Sequence, residues 1–561
     1  VLPAPGPLSP SNGRLTGSLH APASSQALRP LFRWSLSGPG PCGPPLREIQ
    51  VDDSCTTPGF ASCTFPSPEA SAADLTADEW RPASDLPVAE AAPVGRRYYW
   101  RARACDAGGR CSPWSPVRYV DVGRLPCDLN GDGYSDLAVG APDQSFGLAG
   151  AGALYVLPGS STGLPATIGG FLPSPRPDLG GAFANSVACG DLDADGFADL
   201  VVGGIDQTSG ATYEGNAYFL LGGATGVGAT PAVRLDSPAN QELAVFSFNI
   251  VVPGDVNGDG YADAAIAATR EHAEDYEAGA VHVYHGSSSG LPAVPNTSVA
   301  CFGSCHRAEF GAGLATAGDV DLDGYADLLV GAPGFDGGAT DEGGAFVFRG
   351  GPDGLSRTAA WSVECPGHQA DAAFGTTVAA GDVDGDGWTD LLVGATGYDG
   401  SAPDEGRAWV YLGGASGFPA SPSVTLACPY GQARAAFGAG LAAVDVDGDS
   451  FDDVLVGAVL YDNPTADRGA VFVMRGGVLG PESEPSVMLP GAAPWIVPYF
   501  GIVIVSPGDV DADGLPEIAV GAPRQSASTS FDGAVYVWRG TPVTGIGGPA
   551  TWPFRSPPPG I

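Results

Sequence analysis

Residues 310–363 read FGAGLATAGDVDLDGYADLLVGAPGFDGGATDEGGAFVFRGGPDGLSRTAAWSV, four short apolar runs separated by clusters of Gly, Pro and Asp. Each run has the length of a strand and helical periodicity is absent, so the unit reads as four consecutive β-strands. The acidic motif that opens at Asp319 recurs almost unchanged at Asp128, Asp191, Asp255, Asp382, Asp445 and Asp509, with successive gaps of 63, 64, 64, 63, 63 and 64 residues. Such regular spacing marks a repeat architecture.

Seven four-stranded units cannot extend as one flat sheet without exposing edges, whereas a ring of small sheets around an axis leaves only short, protected ones. The expected fold is all-β, a seven-bladed β-propeller over residues 119–561 with one acidic loop after the first strand of each blade. A chain of 561 residues is too long for one ordinary domain, and residues 1–118 have a different texture. There the run Arg96–Cys105, a Gly-rich turn and the segment Cys111–Tyr119 predict a β-hairpin. With Phe32-Arg-Trp-Ser and Arg47-Glu-Ile-Gln-Val-Asp, the segment resembles a fibronectin type III β-sandwich whose last strand runs straight into the first blade.

The repeated loop is Asp-x-Asp/Asn-x-Asp-Gly-aromatic-x-Asp. Side chains at positions 1, 3, 5 and 9 and the carbonyl at position 7 can converge on one hard cation. The candidate ligands are Asp128, Asn130, Asp132, Tyr134 and Asp136 in the first unit, and Asp191, Asp193, Asp195, Phe197 and Asp199 in the second. Asp255, Asn257, Asp259, Tyr261 and Asp263 follow in the third, and Asp319, Asp321, Asp323, Tyr325 and Asp327 in the fourth. The fifth offers Asp382, Asp384, Asp386, Trp388 and Asp390, and the sixth Asp445, Asp447, Asp449, Phe451 and Asp453. The seventh offers Asp509, Asp511, Asp513, Leu515 and Glu517. Oxygen ligands in that number select Ca²⁺, up to seven ions, where zinc or copper would call for thiolate or imidazole.

Asx turns alone are the competing reading of one such loop, since Asp and Asn often make them. Seven copies with three or four carboxylates each would repel strongly without a cation. A helix-flanked calcium loop of the EF-hand type is excluded, because position 12 is Val139, Val202 or Val330 rather than Glu and the flanks are strands. Two loops depart from the pattern: Ser450 stands where Gly is expected, and the seventh motif ends on Glu517 after a proline.

Phe-Gly at 310–311, 374–375, 437–438 and 500–501, with Gly-Ala-Pro at 140–142, 331–333 and 521–523, resembles the FG-GAP repeats of integrin α subunits and their bacterial relatives. The resemblance covers roughly residues 119–556, with local departures such as Phe-Ala at 183–184. Tyr119 lies as far before Asp128 as Phe310 before Asp319, so the first inner strand is expected to begin there. The resemblance implies that the loops lie on the face away from any ligand and that the protein is an extracellular adhesion module.

The 25 basic residues are all arginine against 63 acidic ones, and a net charge of −38 excludes nucleic acid and anionic membrane surfaces as partners. Of those 63 carboxylates, 26 fall in the seven motifs, which points to metal ligation rather than a solvated acidic tail. Eleven cysteines, with Cys55 and Cys63, Cys105 and Cys111, and Cys301 and Cys305 close in sequence, suggest an oxidising extracellular compartment. Cys127 and Cys189 read equally well as isolated buried thiols. No run of 18 apolar residues forms a membrane span, and the chain reads as a mature secreted or surface region. A lysine-free, Ala/Gly/Pro/Arg-rich composition suggests a GC-rich bacterial source.

No nucleophile motif is present, and His282 and His285 face opposite sides of a strand, so no catalytic set is expected. Two readings remain. In one, the loops Tyr213–Asn216, His272–Glu277, Asp336–Gly344 and Tyr398–Arg407 bind a protein or glycan; in the other, the propeller is a rigid spacer.

Overall fold

The computed structural model describes residues 6–10, 14–20, 28–35, 45–55, 63–145, 148–166, 171–178, 180–208, 211–273, 275–303, 305–462, 467–491, 499–525, 533–542, 545–546 and 550–555. Among them the only helical turn is a 3-10 turn at Pro429–Gly431, and the protein is all-β. No helix among the described residues is long and apolar enough to cross a membrane.

The unit quoted above forms strands Gly313–Gly318, Asp327–Ala332, Gly344–Phe348 and Trp361–Glu364, hydrogen-bonded antiparallel in that order. Five further four-stranded sheets of the same order span 183–236, 246–300, 374–427, 437–490 and 504–555. The second strand is buried along its whole length in five of the six, as at Asp327–Ala332 and Asp390–Ala395, because neighbouring sheets cover both of its faces. The core therefore lies between sheets: Phe310, Leu328, Val330 and Phe348 pack with Val281 and Val283 of the sheet before. The first and last sheets meet in the same way, Leu137, Leu157 and Leu164 packing with Val510, Val537 and Phe554. The Phe-Gly element has a packing role. Phe374 is buried, and Gly375 at φ +89° leaves room for the Gly344 carbonyl, which a Cβ would approach to 2.3 Å.

The first sheet departs from expectation. Among the described residues it has three strands, Leu137–Ala141, Ala153–Leu157 and Phe171–Pro173, without an inner strand opening at Tyr119. Tyr119 instead belongs to Arg118–Gly123, which pairs with Arg96–Cys105 on one edge and Arg14–Ser18 on the other. Val120 and Val122 alternate into a core with Trp34, Ile49, Val51, Tyr98 and Trp100, and that burial holds the strand in the N-terminal sheet.

The expected hairpin is present, from Arg96 opposite Val122 to Trp100 opposite Arg118, and the amides of Ser115 and Ser112 continue it to Ala102 and Ala104. Its five-stranded sheet, with Leu46–Asp52 and Ala70–Leu75, shares one core with a three-stranded sheet of Gly6–Ser9, Phe32–Ser35 and Glu79–Trp80. Disulfides join Cys55 to Cys63, Cys105 to Cys111 and Cys301 to Cys305. Cys127 and Cys189 also form a bridge, tying the first repeat to the second. Cys365 and Cys428 are buried free thiols, while Cys42 lies outside the described residues.

Candidate metal centres

In the fourth loop Asp319 Oδ1 accepts the Asp323 N–H at 2.9 Å and Oδ2 the Gly324 N–H at 2.8 Å. Asp323 Oδ1 accepts the Tyr325 N–H at 3.1 Å. Asp327 Oδ2 accepts the Val320 N–H and Oδ1 the Gly350 N–H, both at 2.7 Å. These bonds curl the backbone around the carboxylates, and they recur. The position-six amide reaches the position-one carboxylate in the other six loops too, from Gly133, Gly196, Gly260, Gly387, Ser450 and Gly514.

The two irregular loops keep that geometry. Ser450 takes a left-handed φ of +74° and still donates to Asp445 Oδ2 at 2.9 Å. Glu517 accepts the Val510 N–H at 2.7 Å through Oε2, as the shorter aspartates do elsewhere.

Positions 1, 3 and 9 converge. Oxygens of Asp319, Asp321 and Asp327 lie within 4.8 Å of one another, as do those of Asp191, Asp193 and Asp199. Asp321 Oδ1, Asp382 Oδ1 and Glu517 Oε1 are buried and accept no hydrogen bond from the described residues. Burial, first, and neighbouring carboxylates push Asp199, Asp263 and Asp327 up to about 8 and Asp390 to about 9, against the pull of their backbone N–H partners. Converging, desolvated carboxylates with lone pairs to spare are the donor set of a hard divalent cation, so the residues present fit Ca²⁺.

The position-seven side chains have a second use that the motif did not reveal. Phe197, Tyr325 and Phe451 lie on Gly131, Gly258 and Gly385 of the preceding loop, where a Cβ would come within 2.5, 2.6 and 2.6 Å of the ring. Position eight was missed as well. In five of the seven loops its amide ties the loop to the one before, as from Ala198 to Asp128 and Ala326 to Asp255 at 2.9 Å, and Ser135 to Asp509 at 3.1 Å. Any residue with an N–H serves there, so no side-chain signal marked it.

Strand direction alternates, so the acidic loops lie at one end of the sheets and the loops joining second to third strands at the other. At that other end Tyr213, Tyr276 and Tyr430 are exposed. A cavity of about 490 Å³ there is lined by Phe335, Phe346, Glu364 and His368. His368 Nδ1 pairs with Glu342 at 2.9 Å, and Glu342 also accepts from Gly338 in its own loop. His282 is a buried packing residue bonded to Glu271 at 2.9 Å and Ser298 at 2.8 Å.

The repeated sheets and their acidic loops support an integrin-like FG-GAP propeller. The FG-GAP repeat family matches residues 125–157, 248–284, 310–348, 374–411, 437–474 and 503–538, six of the seven units. Among known proteins the chain is similar to integrin alpha pat-2 of Caenorhabditis briggsae, 30% identical over 226 residues, which are 37% of this chain and 17% of the relative. It is 35% identical over 164 residues to integrin alpha-5 of Xenopus laevis, covering 28% of this chain and 15% of the relative. Integrin alpha-6 of Homo sapiens is 30% identical over 177 residues, covering 31% and 14%. The chain thus spans about a sixth of the length of these curated relatives.

Proposed function

We propose that the chain is a calcium-binding extracellular adhesion or recognition module without enzymatic activity. Residues from Leu125 onward form a seven-bladed propeller, and the preceding segment is a fibronectin type III-like sandwich that includes Arg118–Gly123. The side-chain oxygens at positions 1, 3, 5 and 9 and the position-seven carbonyl of each loop hold Ca²⁺; when bound, the ion neutralises the converging charges and locks the loop between its strands. One observation carries this reading: the same hydrogen-bonded loop recurs seven times, and in the second and fourth copies its carboxylate oxygens converge within 4.8 Å.

The end opposite the loops, with exposed Tyr213, Tyr276 and Tyr430, is the proposed surface for a protein or glycan ligand. The four disulfides among the described residues favour an oxidising, extracellular setting, and the composition favours a bacterial surface or secreted protein. The test is a binding screen of labelled protein against glycans, matrix proteins and bacterial surfaces, in millimolar calcium and in chelator. Calcium-dependent capture of one class supports recognition. Absence of binding, with a large calcium-dependent rise in melting temperature, would leave a calcium-stiffened spacer.

A further inference from the structure

The end of the repeats that carries the acidic loops is covered by the N-terminal domain. Arg97 donates to the Gly324 carbonyl at 2.7 Å, Arg124 to that of Gly260 at 3.1 Å and Arg33 to that of Gly448 at 3.1 Å. Arg118, fully buried, donates to the Gly385 carbonyl and to Asp382 Oδ2, both at 3.3 Å. The Val94 amide donates to the Ala194 carbonyl at 2.9 Å. His20 Nε2 lies 3.1 Å from the Asp195 carbonyl, with its ring stacked 4.1 Å from Phe197. Five consecutive loops, the second to the sixth, are reached in this way. Every acceptor except Asp382 Oδ2 is a backbone carbonyl at position four, five or six of its loop.

We propose that this loop end is an interaction surface whose partner is the chain's own N-terminal domain, and that the domain and divalent cations bind it cooperatively. The proposal rests on the reading that the loops hold calcium.

Two effects oppose each other when the cation leaves. The loops become more negative, which draws arginines in, and they lose the ion that holds their carbonyls in place. Residues 1–124 carry 12 arginines and 11 carboxylates, against 13 and 52 in the remainder, so the covering domain is nearly neutral as a whole. At physiological salt, with a screening length of about 8 Å, its long-range attraction to the repeats is therefore weak. Short hydrogen bonds to carbonyls dominate instead, and these depend on the shape of the loop. Cation binding thus strengthens docking, and by linkage docking raises cation affinity.

The experiment is hydrogen exchange on the full chain with calcium and in calcium-free buffer, alongside calcium stoichiometry by equilibrium dialysis. With calcium bound, the Val94 amide and the segment 116–124 are expected to be protected, and removing calcium should speed exchange of Val94 about tenfold or more. The double variant Arg33→Gln, Arg124→Gln should bind the same number of ions with half-saturation at about threefold higher calcium. Arg110→Gln, which alters an arginine paired within its own turn to Asp106, should leave half-saturation unchanged. Calcium that binds while Val94 exchange and the double variant's half-saturation stay unchanged overturns cooperativity alone. Absence of any bound calcium overturns the calcium reading as well.

Discussion

The Ser135 amide donates to the Asp509 carbonyl at 3.1 Å, tying the first acidic loop to the last. Ala198 with Asp128, Ala326 with Asp255 and Asp452 with Asp382 make the same bond between neighbours. A companion bond from Ser160 to Val510 at 3.0 Å matches those from Gly223 to Leu129 and Gly351 to Val256. The first and last repeats therefore meet as consecutive ones do. Pro516 holds the equivalent position in the seventh loop and has no N–H, so that junction keeps only the companion bond from Thr541 to Val446 at 3.1 Å.

If that meeting closes a ring, its core should matter as much as any other. Phe554 is buried against Leu137 and Leu164 of the first repeat, and Phe554→Ala is expected to cost about 3 kcal/mol in urea denaturation. A loss below about 0.5 kcal/mol, the range of an exposed side chain, would show the two ends to be apart in solution.

Removing one loop's ligand should remove one ion. Asp319→Ala deletes the carboxylate that receives the Asp323 and Gly324 amides and whose oxygen lies near those of Asp321 and Asp327. Equilibrium dialysis should show one calcium fewer per chain, and the melting temperature gained on adding calcium should shrink. An unchanged count would mean that the fourth loop holds no ion.

Ser450 pays a steric cost for its left-handed backbone, and its buried Oγ has no hydrogen-bond partner among the described residues. Ser450→Gly relieves both, offset by the greater freedom of glycine in the unfolded chain, for a net gain of about 1 kcal/mol. Thermal unfolding in saturating calcium measures it, and a lower melting temperature would contradict the strained-loop account.

Without calcium, stability should fall as pH rises. Asp199, Asp263 and Asp327 are pushed up to about 8 and Asp390 to about 9, chiefly by burial. A carboxyl raised on folding binds more protons folded than unfolded, so its contribution is full below the unfolded value near 4 and is lost as pH climbs through the folded one. Chemical denaturation in calcium-free buffer should give a lower free energy at pH 8 than at pH 5. Saturating calcium, which binds the ionised form, should abolish or reverse that slope.

Much of the architecture was legible along the chain because its causes are local. A recurring period, strand-length apolar runs and Asp, Asn and Gly at fixed offsets specify repeated sheets and oxygen-rich loops whatever lies around them. The loops at Ser450 and Glu517 show that this local geometry survives a changed residue, since the backbone amides still find the same carboxylates.

Long-range partners were decided by the tertiary structure. Arg118–Gly123 could extend either the N-terminal hairpin or the first repeat, and its spacing before Asp128 favoured the repeat; burial of Val120 and Val122 beside Trp100 settled it the other way. Cys127 and Cys189 read as well as lone thiols as they did a bridge, until the fold brought their Cα atoms to 5.5 Å. The bond from Ser135 to Asp509 and the arginine contacts onto the loops left no pattern at all, because their acceptors are backbone carbonyls, which every residue carries. Sequence determined what each repeat is; packing of distant, individually unremarkable groups determined which end of the repeats is covered and which is left exposed.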